Sequence, residues 1–353
     1  AGARVGAIDA ACRAHSGQEL RLHPSTARTA TIGGFVCGGS GGIGSITWGG
    51  LRDRGNILGV RLVTMEALPR ILELRGEDIQ KVNHAYGTTG IVTAVEMPLA
   101  PAYPWVDVMI GFADFMTAAR FADALGAQDG LLKKLVSPIS APIPERYFRQ
   151  LKEFVPAGRS VVLTMVAPFA FDALGSLVAS WKGEILYRRA SDDKESAIPP
   201  LYEFSWNHTT LQALKVDRAI TYHQILYPPP RHLELVERMH RRFADEVMTH
   251  LEFVRFDGQI ACFGLPLIRF TTEPRLAEIA AEFEEAGCPT FSAHHFTLEE
   301  GGMKEVDRVQ LEFKREADPL GLLNPGKMIA WTDPDWDASR SRIHLFASAR
   351  GGA

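Results

Sequence analysis

Apolar positions recur at two spacings along the chain, and the spacing separates helices from strands. Leu233, Val236, Met239, Phe243 and Val247 return every three or four residues, so 230–248 reads as an amphipathic helix. Leu276, Ile279, Ala280 and Phe283 follow the same rule, with Thr272 placed as N-cap and Gly287 as the stop. Residues 4–15 read as another helix, closed by Gly17. Short β-rich runs stand at 57–63, 90–99, 105–112, 161–166, 184–188 and 219–226. Asp114 occupies the N-cap position of a helix ending before Gly126. The long apolar stretch 160–181 carries one charge, Asp172, but Pro168 stands at its middle. A membrane span needs ~20 predominantly apolar residues, so this stretch reads as a buried strand followed by a helix. Pro98, Pro101 and Pro104 mark a domain boundary, and from 335 onward the chain is a polar tail. Strands and helices of these lengths in alternation suggest a layered α+β fold.

Composition narrows the function classes. A chain of 353 residues suggests about two domains. With 46% apolar and 23% charged residues it is a globular protein and not a disordered one. A net charge of -4 argues against a general nucleic-acid binder, which needs a basic stripe. Cys12, Cys37, Cys262 and Cys288 are scattered with no Cys-x-x-Cys pair. No disulfide framework or metal site is expected, and a reducing, cytoplasmic location follows. Arg4, Asp9 and Arg13 leave no signal-peptide core in residues 1–15.

The glycine-rich stretch from 23 to 56 is the most informative. Backbone without Cβ atoms brings its N–H groups close to an anion or a flat ring, although tight turns need the same residues. It is not a Walker loop, because no Gly-Lys-Ser/Thr follows, and no strand leads into a Rossmann Gly-x-Gly-x-x-Gly. Pro-Ser at 24–25, Thr-Ile-Gly-Gly at 31–34, Ser-Gly-Gly at 40–42, Trp-Gly at 48–49 and Val-Arg-Leu-Val at 60–63 together resemble one family. It is the p-cresol methylhydroxylase/vanillyl-alcohol oxidase type of FAD-linked oxidases, with a PCMH-type FAD-binding domain. Gly-Thr-Thr-Gly-Ile-Val-Thr at 87–93 is similar to the loop entering the last strand of that domain. Asp-Pro-Leu-Gly-Leu-Leu-Asn-Pro-Gly-Lys at 318–327 resembles the C-terminal return to the flavin.

That resemblance implies an α+β protein in which 1–101 is the C-terminal part of the FAD-binding domain. Residues 102–317 would be a substrate (cap) domain on an antiparallel sheet, 318–332 the return segment and 333–353 the tail. The family's N-terminal FAD subdomain, with its own pyrophosphate loop, would stand ahead of Ala1, and nothing within this sequence replaces it, so the chain is expected to be a fragment. Carried over residue by residue, Pro24 and Ser25 lie near the diphosphate or ring, and Thr31, Gly33 and Gly34 bond the cofactor. Ser40, Gly41, Gly44 and Ser45 pass the ribityl chain and ring. Gly90, Ile91 and Val92 meet the adenosine side, and Asn324 and Lys327 approach from the return segment. Covalent links in the family use His or Cys; Cys37 reads as a packed helix residue, so non-covalent FAD is expected.

A histidine near neutral pH can take the proton of an alcohol while hydride passes to the flavin, which makes His208 and His295 candidate bases. His295 matches the histidine of the Glu-His-Gly motif in related D-2-hydroxy acid dehydrogenases, where His294 replaces the glutamate. Their metal-binding histidines are missing from 256–264, so no metal is expected. On a strand His294 and His295 face opposite ways, and His295 is taken as inward. Trp206 and Tyr222 are expected to line the substrate side, while His232, His240 and His250 read as solvated residues on or beside a charged helix. The expected activity is an FAD-dependent oxidoreductase that takes hydride from a small alcohol or hydroxy acid. Electrons would pass to oxygen or to another protein, with a homodimer as one possible assembly. The alternatives are a non-catalytic flavoprotein subunit or interaction protein on a flavin scaffold, and an alkyl or acyl transferase that uses flavin without net redox, similar to alkyl-dihydroxyacetone-phosphate synthase.

Overall fold

The structure, a computed structural model, describes residues 1–193, 195–256, 258–291, 295–303 and 306–336. The chain divides into two units. Ala1–Gly41, Gly50–Pro101 and the chain from Phe291 form the first, and Gly42–Gly49 with Ala102–Thr290 form the second.

In the first unit, the helix Val5–Ser16 ends at Gly17, which takes φ 65 and closes the last turn through its N–H to the Arg13 carbonyl. The strand Gln18–Leu20 pairs antiparallel with Leu99–Pro101. Gly59–Val63 is the central strand of a sheet, antiparallel to Ile71–Arg75 on one side and Ile91–Glu96 on the other. Val5, Leu20, Phe35, Val60 and Leu62 share a core with Phe313 and Ala317 of the helix Arg308–Ala317. The chain therefore returns to this unit at Phe291, upstream of the return expected at 318. Residues 308–317 return early because their apolar stripe completes that core.

The second unit is built on an antiparallel sheet in the order Lys133–Ile139, Ser160–Val166, Val106–Phe112, Glu184–Ala190. Helix Phe115–Gly126 covers one face, and Asp114 caps it by accepting the Thr117 N–H at 2.8 Å. Phe115, Ala119 and Ala122 pack there with Val108 and Ile110. The other face buries Met109, Leu135 and Leu163 under Ile143, Tyr147 and Phe204. Strands covered on both faces read as continuous apolar runs, and 160–166 is one of them. The helix Phe171–Ser180 follows it, and no helix among the described residues is long and apolar enough to cross a membrane. Leu251–Phe256 and Gln259–Gly264 form a hairpin beside Gln224–Tyr227. Residues 42–49 insert into this unit: Gly44 N–H donates to the Lys134 carbonyl at 2.7 Å, and the Thr47 hydroxyl to that of Lys133 at 2.6 Å.

The architecture is mixed helix and antiparallel sheet, the α+β class. Two elements differ from the periodicity. The helix expected over 230–248 runs His232–Phe243 and stops where Ala244 takes φ 44, after which Val247–Met248 joins a sheet. The strand expected over 219–226 is broken at His223 into Ile220–Tyr222 and Gln224–Tyr227, which belong to different sheets.

Candidate functional site

In the first unit, the end of the helix Ile32–Gly38 meets a loop of unusual backbone. His84 and Tyr86 take φ 56 and 51 and Gly87 takes 66, a region that residues with a Cβ rarely occupy. The loop is held by backbone bonds from His84 N–H to the Val36 carbonyl and from Tyr86 N–H to that of Cys37. Asn324, itself at φ 43, donates its side-chain amide to the Tyr86 carbonyl. Lys327 Nζ lies 3.8 Å from the Phe296 ring centroid and 5.7 Å from that of Tyr86. Leu298 N–H donates to the Lys327 carbonyl, and buried Glu299 accepts the N–H groups of Ile329 and Ala330 at 3.0 and 3.1 Å. The return segment, the 84–90 loop and the 295–303 segment thus make one cluster. Backbone strain concentrated in this way is a pointer to a binding site.

Several of the expected cofactor residues belong to this cluster, and others serve the fold around it. Asn324 and Lys327 lie in it, and His295 is exposed and adjacent to Phe296. Gly34 and Ser40 are exposed, Gly41 is half-buried, and a Cβ added at neighbouring Gly38 would meet nothing within 4 Å. Thr31 spends its hydroxyl as the helix cap, accepting Gly34 N–H at 3.2 Å. Gly33 packs against Ala1, where a Cβ would come within 2.7 Å of that residue's methyl. Gly90 packs against Leu62 at φ +143, and Ile91 and Val92 pair with Val63 and Leu62 in the sheet. Pro24 and Ser25 lie in a turn closed by Ala27 N–H on the Pro24 carbonyl. Gly44 and Ser45 belong to the second unit, where Ser45 Oγ accepts Gly42 N–H at 3.0 Å. Cys37 is half-buried, and burial pushes its thiol up, away from a reactive thiolate. His294 lies outside the described residues, and His295 is not in a strand.

The second unit carries the Trp206 and His208 expectations. Glu252, 1% exposed, accepts the Trp206 N–H at 2.6 Å and the Ser137 hydroxyl at 2.9 Å, with His250 Nε2 at 2.8 Å. This fixes Trp206 at φ 50, at the start of the helix Asn207–Leu214. His208, on that helix, is half-buried, with Nδ1 lacking a hydrogen-bond partner. Burial holds it below the usual histidine range, so at neutral pH it is an uncharged proton acceptor. Tyr222 is half-buried. His250 and His232 are buried, correcting their reading as solvated residues; His232 pairs with Asp123 at 2.8 Å and half-buried His240 with the Thr249 hydroxyl at 2.9 Å. Helical periodicity reports the face a residue occupies but not the strand packed over it.

Sequence reasoning also passed over Asp107 and Arg189, cross-strand neighbours in the main sheet. A lone charge inside the apolar run 105–112 was the available signal, since unpaired aspartates are almost never fully buried. Asp107 is 0% exposed, and its carboxyl is raised from 3.8 to about 6 by burial, against the pull of Leu201 N–H, Ser191 and Arg189, with Asp192 adding to the rise. Between 3.8 and about 6 the folded chain therefore holds a proton that the unfolded chain has lost. Stability contributed by that proton is lost as pH rises through this window, by about 3 kcal/mol in all. Asp107→Asn should remove this part of the pH dependence, leaving the rest unchanged. Urea unfolding at ~pH 4 and ~pH 7 checks it; parallel losses in wild type and variant would contradict the assignment.

No known family's profile matches the chain, and no curated protein matches it. Among solved structures, alkyldihydroxyacetonephosphate synthase in two crystal forms is similar, with TM-scores of 0.62 and 0.63 at 12% identity. The likeness covers 91% and 92% of this chain but 62% of each synthase chain, so the chain spans less than two thirds of their length. At that identity the likeness establishes the fold: this chain is an α+β protein folded like alkyldihydroxyacetonephosphate synthase.

Proposed function

We propose that the chain is part of an FAD-linked enzyme that binds flavin non-covalently through its first unit and oxidises a small alcohol or hydroxy acid. The observation that carries the reading is the cluster of Tyr86, Asn324, Phe296 and Lys327 beside the exposed glycines of 34–41, on a fold shared with the synthase. These groups suit a planar heteroaromatic ring with an anionic arm. Cβ-free backbone permits close approach, and a cation and two aromatic faces meet where the return segment joins the strained loop. Bound flavin supplies two-electron redox chemistry, and a cation near it favours the anionic reduced form. Residues of the first unit would hold the ring, and the candidate proton acceptors are His295 in that unit and His208 in the second.

A second reading, transfer of an alkyl group without net redox, is favoured by what the structural neighbours are named for. Anaerobic mixing separates the two: an oxidised substrate leaves the flavin bleached, whereas a transfer ends with it yellow. The shared premise is tested by titrating the protein with FAD and following flavin fluorescence. Saturable binding is expected, and its loss in Gly34→Val, because a β-branched side chain fills the exposed approach and restricts the backbone. No saturation with either FAD or FMN would overturn both readings. Equal binding by Gly34→Val would remove the 31–34 turn from the site.

A further inference from the structure

We propose that Arg189 and Asp107 form a second binding site, lying within the second unit, for a small carboxylate that also carries a hydrogen-bond donor such as a hydroxyl. The site does not depend on the flavin reading. Arg189 is buried on the strand Glu184–Ala190, its side chain 7% exposed. Its Nη1 donates to the Ile198 carbonyl. Its Nε and Nη2 are buried with no hydrogen-bond partner. In a planar guanidinium those two N–H groups point the same way along one edge, the edge whose spacing matches the two oxygens of a carboxylate.

The carboxylate nearest to hand does not use that edge. Asp107 Oδ2 stands 3.9 Å from Nη2, beyond hydrogen-bond reach, and already accepts the Leu201 N–H at 2.9 Å. Asp107 Oδ1 is buried and makes no hydrogen bond by geometry, the Ser191 side chain pulling on the same carboxylate. Two orphaned donors and one orphaned acceptor therefore lie on neighbouring strands. A buried polar group left unpaired costs about 1–3 kcal/mol, and more when charged, so three at one place point to a group that completes them on binding.

The chemistry of that group follows from the vacant bonds. It must accept two parallel N–H groups and offer a proton to Asp107 Oδ1. A carboxylate with a hydroxyl on the adjacent carbon does both. A bare polyanion is disfavoured, because Asp107 and Asp192 act on the same spot and the flanking segment adds exposed Asp193 and Glu195. The Tyr187 ring, 6.0 Å from the guanidinium carbon, supplies an apolar wall.

The experiment is calorimetric titration of flavin-free protein with glycolate and with acetate, beside Arg189→Lys. Saturable binding of glycolate is expected, tighter than that of acetate, which cannot reach Asp107 Oδ1. Arg189→Lys keeps the charge but loses the fork, and should weaken glycolate by about tenfold or more. If that variant fails to fold, the Arg189 Nε–H resonance of the wild-type protein replaces it, and should shift on glycolate addition. Absence of saturable binding, the result expected if an ordered water fills the fork, would overturn the proposal. So would equal affinity in Arg189→Lys, or an Arg189 resonance indifferent to glycolate. FAD is absent throughout, so failure of the flavin reading leaves this test unaffected.

Discussion

Alanine at His295 is expected to slow single-turnover oxidation of an alcohol or hydroxy acid by ~10²–10⁴-fold while flavin content stays constant, the usual contribution of a positioned general base. Two features of the first unit motivate this. His295 is exposed, and it adjoins Phe296, over whose ring Lys327 is held at 3.8 Å. His208 is the competing candidate, a half-buried imidazole kept below its ordinary value by desolvation and therefore ready to accept a proton. The two lie in different units, so their alanine variants are independent tests. Rapid mixing of each with substrate, read as bleaching of the flavin band, assigns the base to whichever histidine slows it. A change of less than about tenfold in both would exclude both. His294→Ala is the control for position, since the neighbouring residue would carry the effect if the motif resemblance is displaced by one.

The largest stability loss is expected at Lys314. Its side chain is 2% exposed, and Nζ donates to the carbonyls of Thr88 and Leu323 at 2.9 and 3.2 Å and to Asp318 Oδ2 at 2.7 Å. The Trp331 ring lies 5.1 Å from the same atom. Asp318, itself 0% exposed, gathers the N–H groups of Leu322 and Leu323. Lys314→Met removes the cation and strands a buried carboxylate, a change worth about 3–5 kcal/mol. Urea denaturation measures it, and a loss under ~1 kcal/mol would show that solvent replaces the lysine. Thr88 adjoins Gly87 and Leu323 adjoins Asn324, so the same variant should also loosen the proposed flavin cluster and weaken FAD binding.

Local signals carried much of the fold. Gly17 ends its helix because only a residue without Cβ enters the left-handed region cheaply, and Asp114 and Thr272 cap theirs through the side-chain oxygens expected of them. The strand Lys133–Ile139 was missed because two adjacent lysines disguise it; both are buried, and Lys133 Nζ folds back onto the Gln128 and Leu131 carbonyls. The hairpin Leu251–Phe256/Gln259–Gly264 was passed over for similar reasons, its apolar run being interrupted by Glu252 and Arg255. Glu252 and Asp107 show why sites are harder to read than elements. Apart from His250, two residues away, Glu252 is paired by the distant Trp206 and Ser137, as Asp107 is by Leu201, and no local pattern encodes such partners. The 318–327 run was legible as a motif, but its structural work, a carboxylate collecting backbone N–H groups beneath Lys314, appears only when the fold is closed.

The bond between Lys314 and Thr88 joins residues 226 positions apart in the chain. On a ribosome adding about 5–20 residues per second, Thr88 is made roughly 10–45 s before its partner. During that interval the sheet formed by Gly59–Val63 and its neighbours lacks Phe313 and Ala317, so part of its apolar face stays open to water. Ala102–Thr290, by contrast, emerges as one continuous piece after residues 42–49 are already available, and its long antiparallel pairings can form first. The order of synthesis and the order of completion are thus reversed: the strands at 59–96 are made before Ala102–Thr290, yet their core closes only once Phe313 and Ala317 have followed.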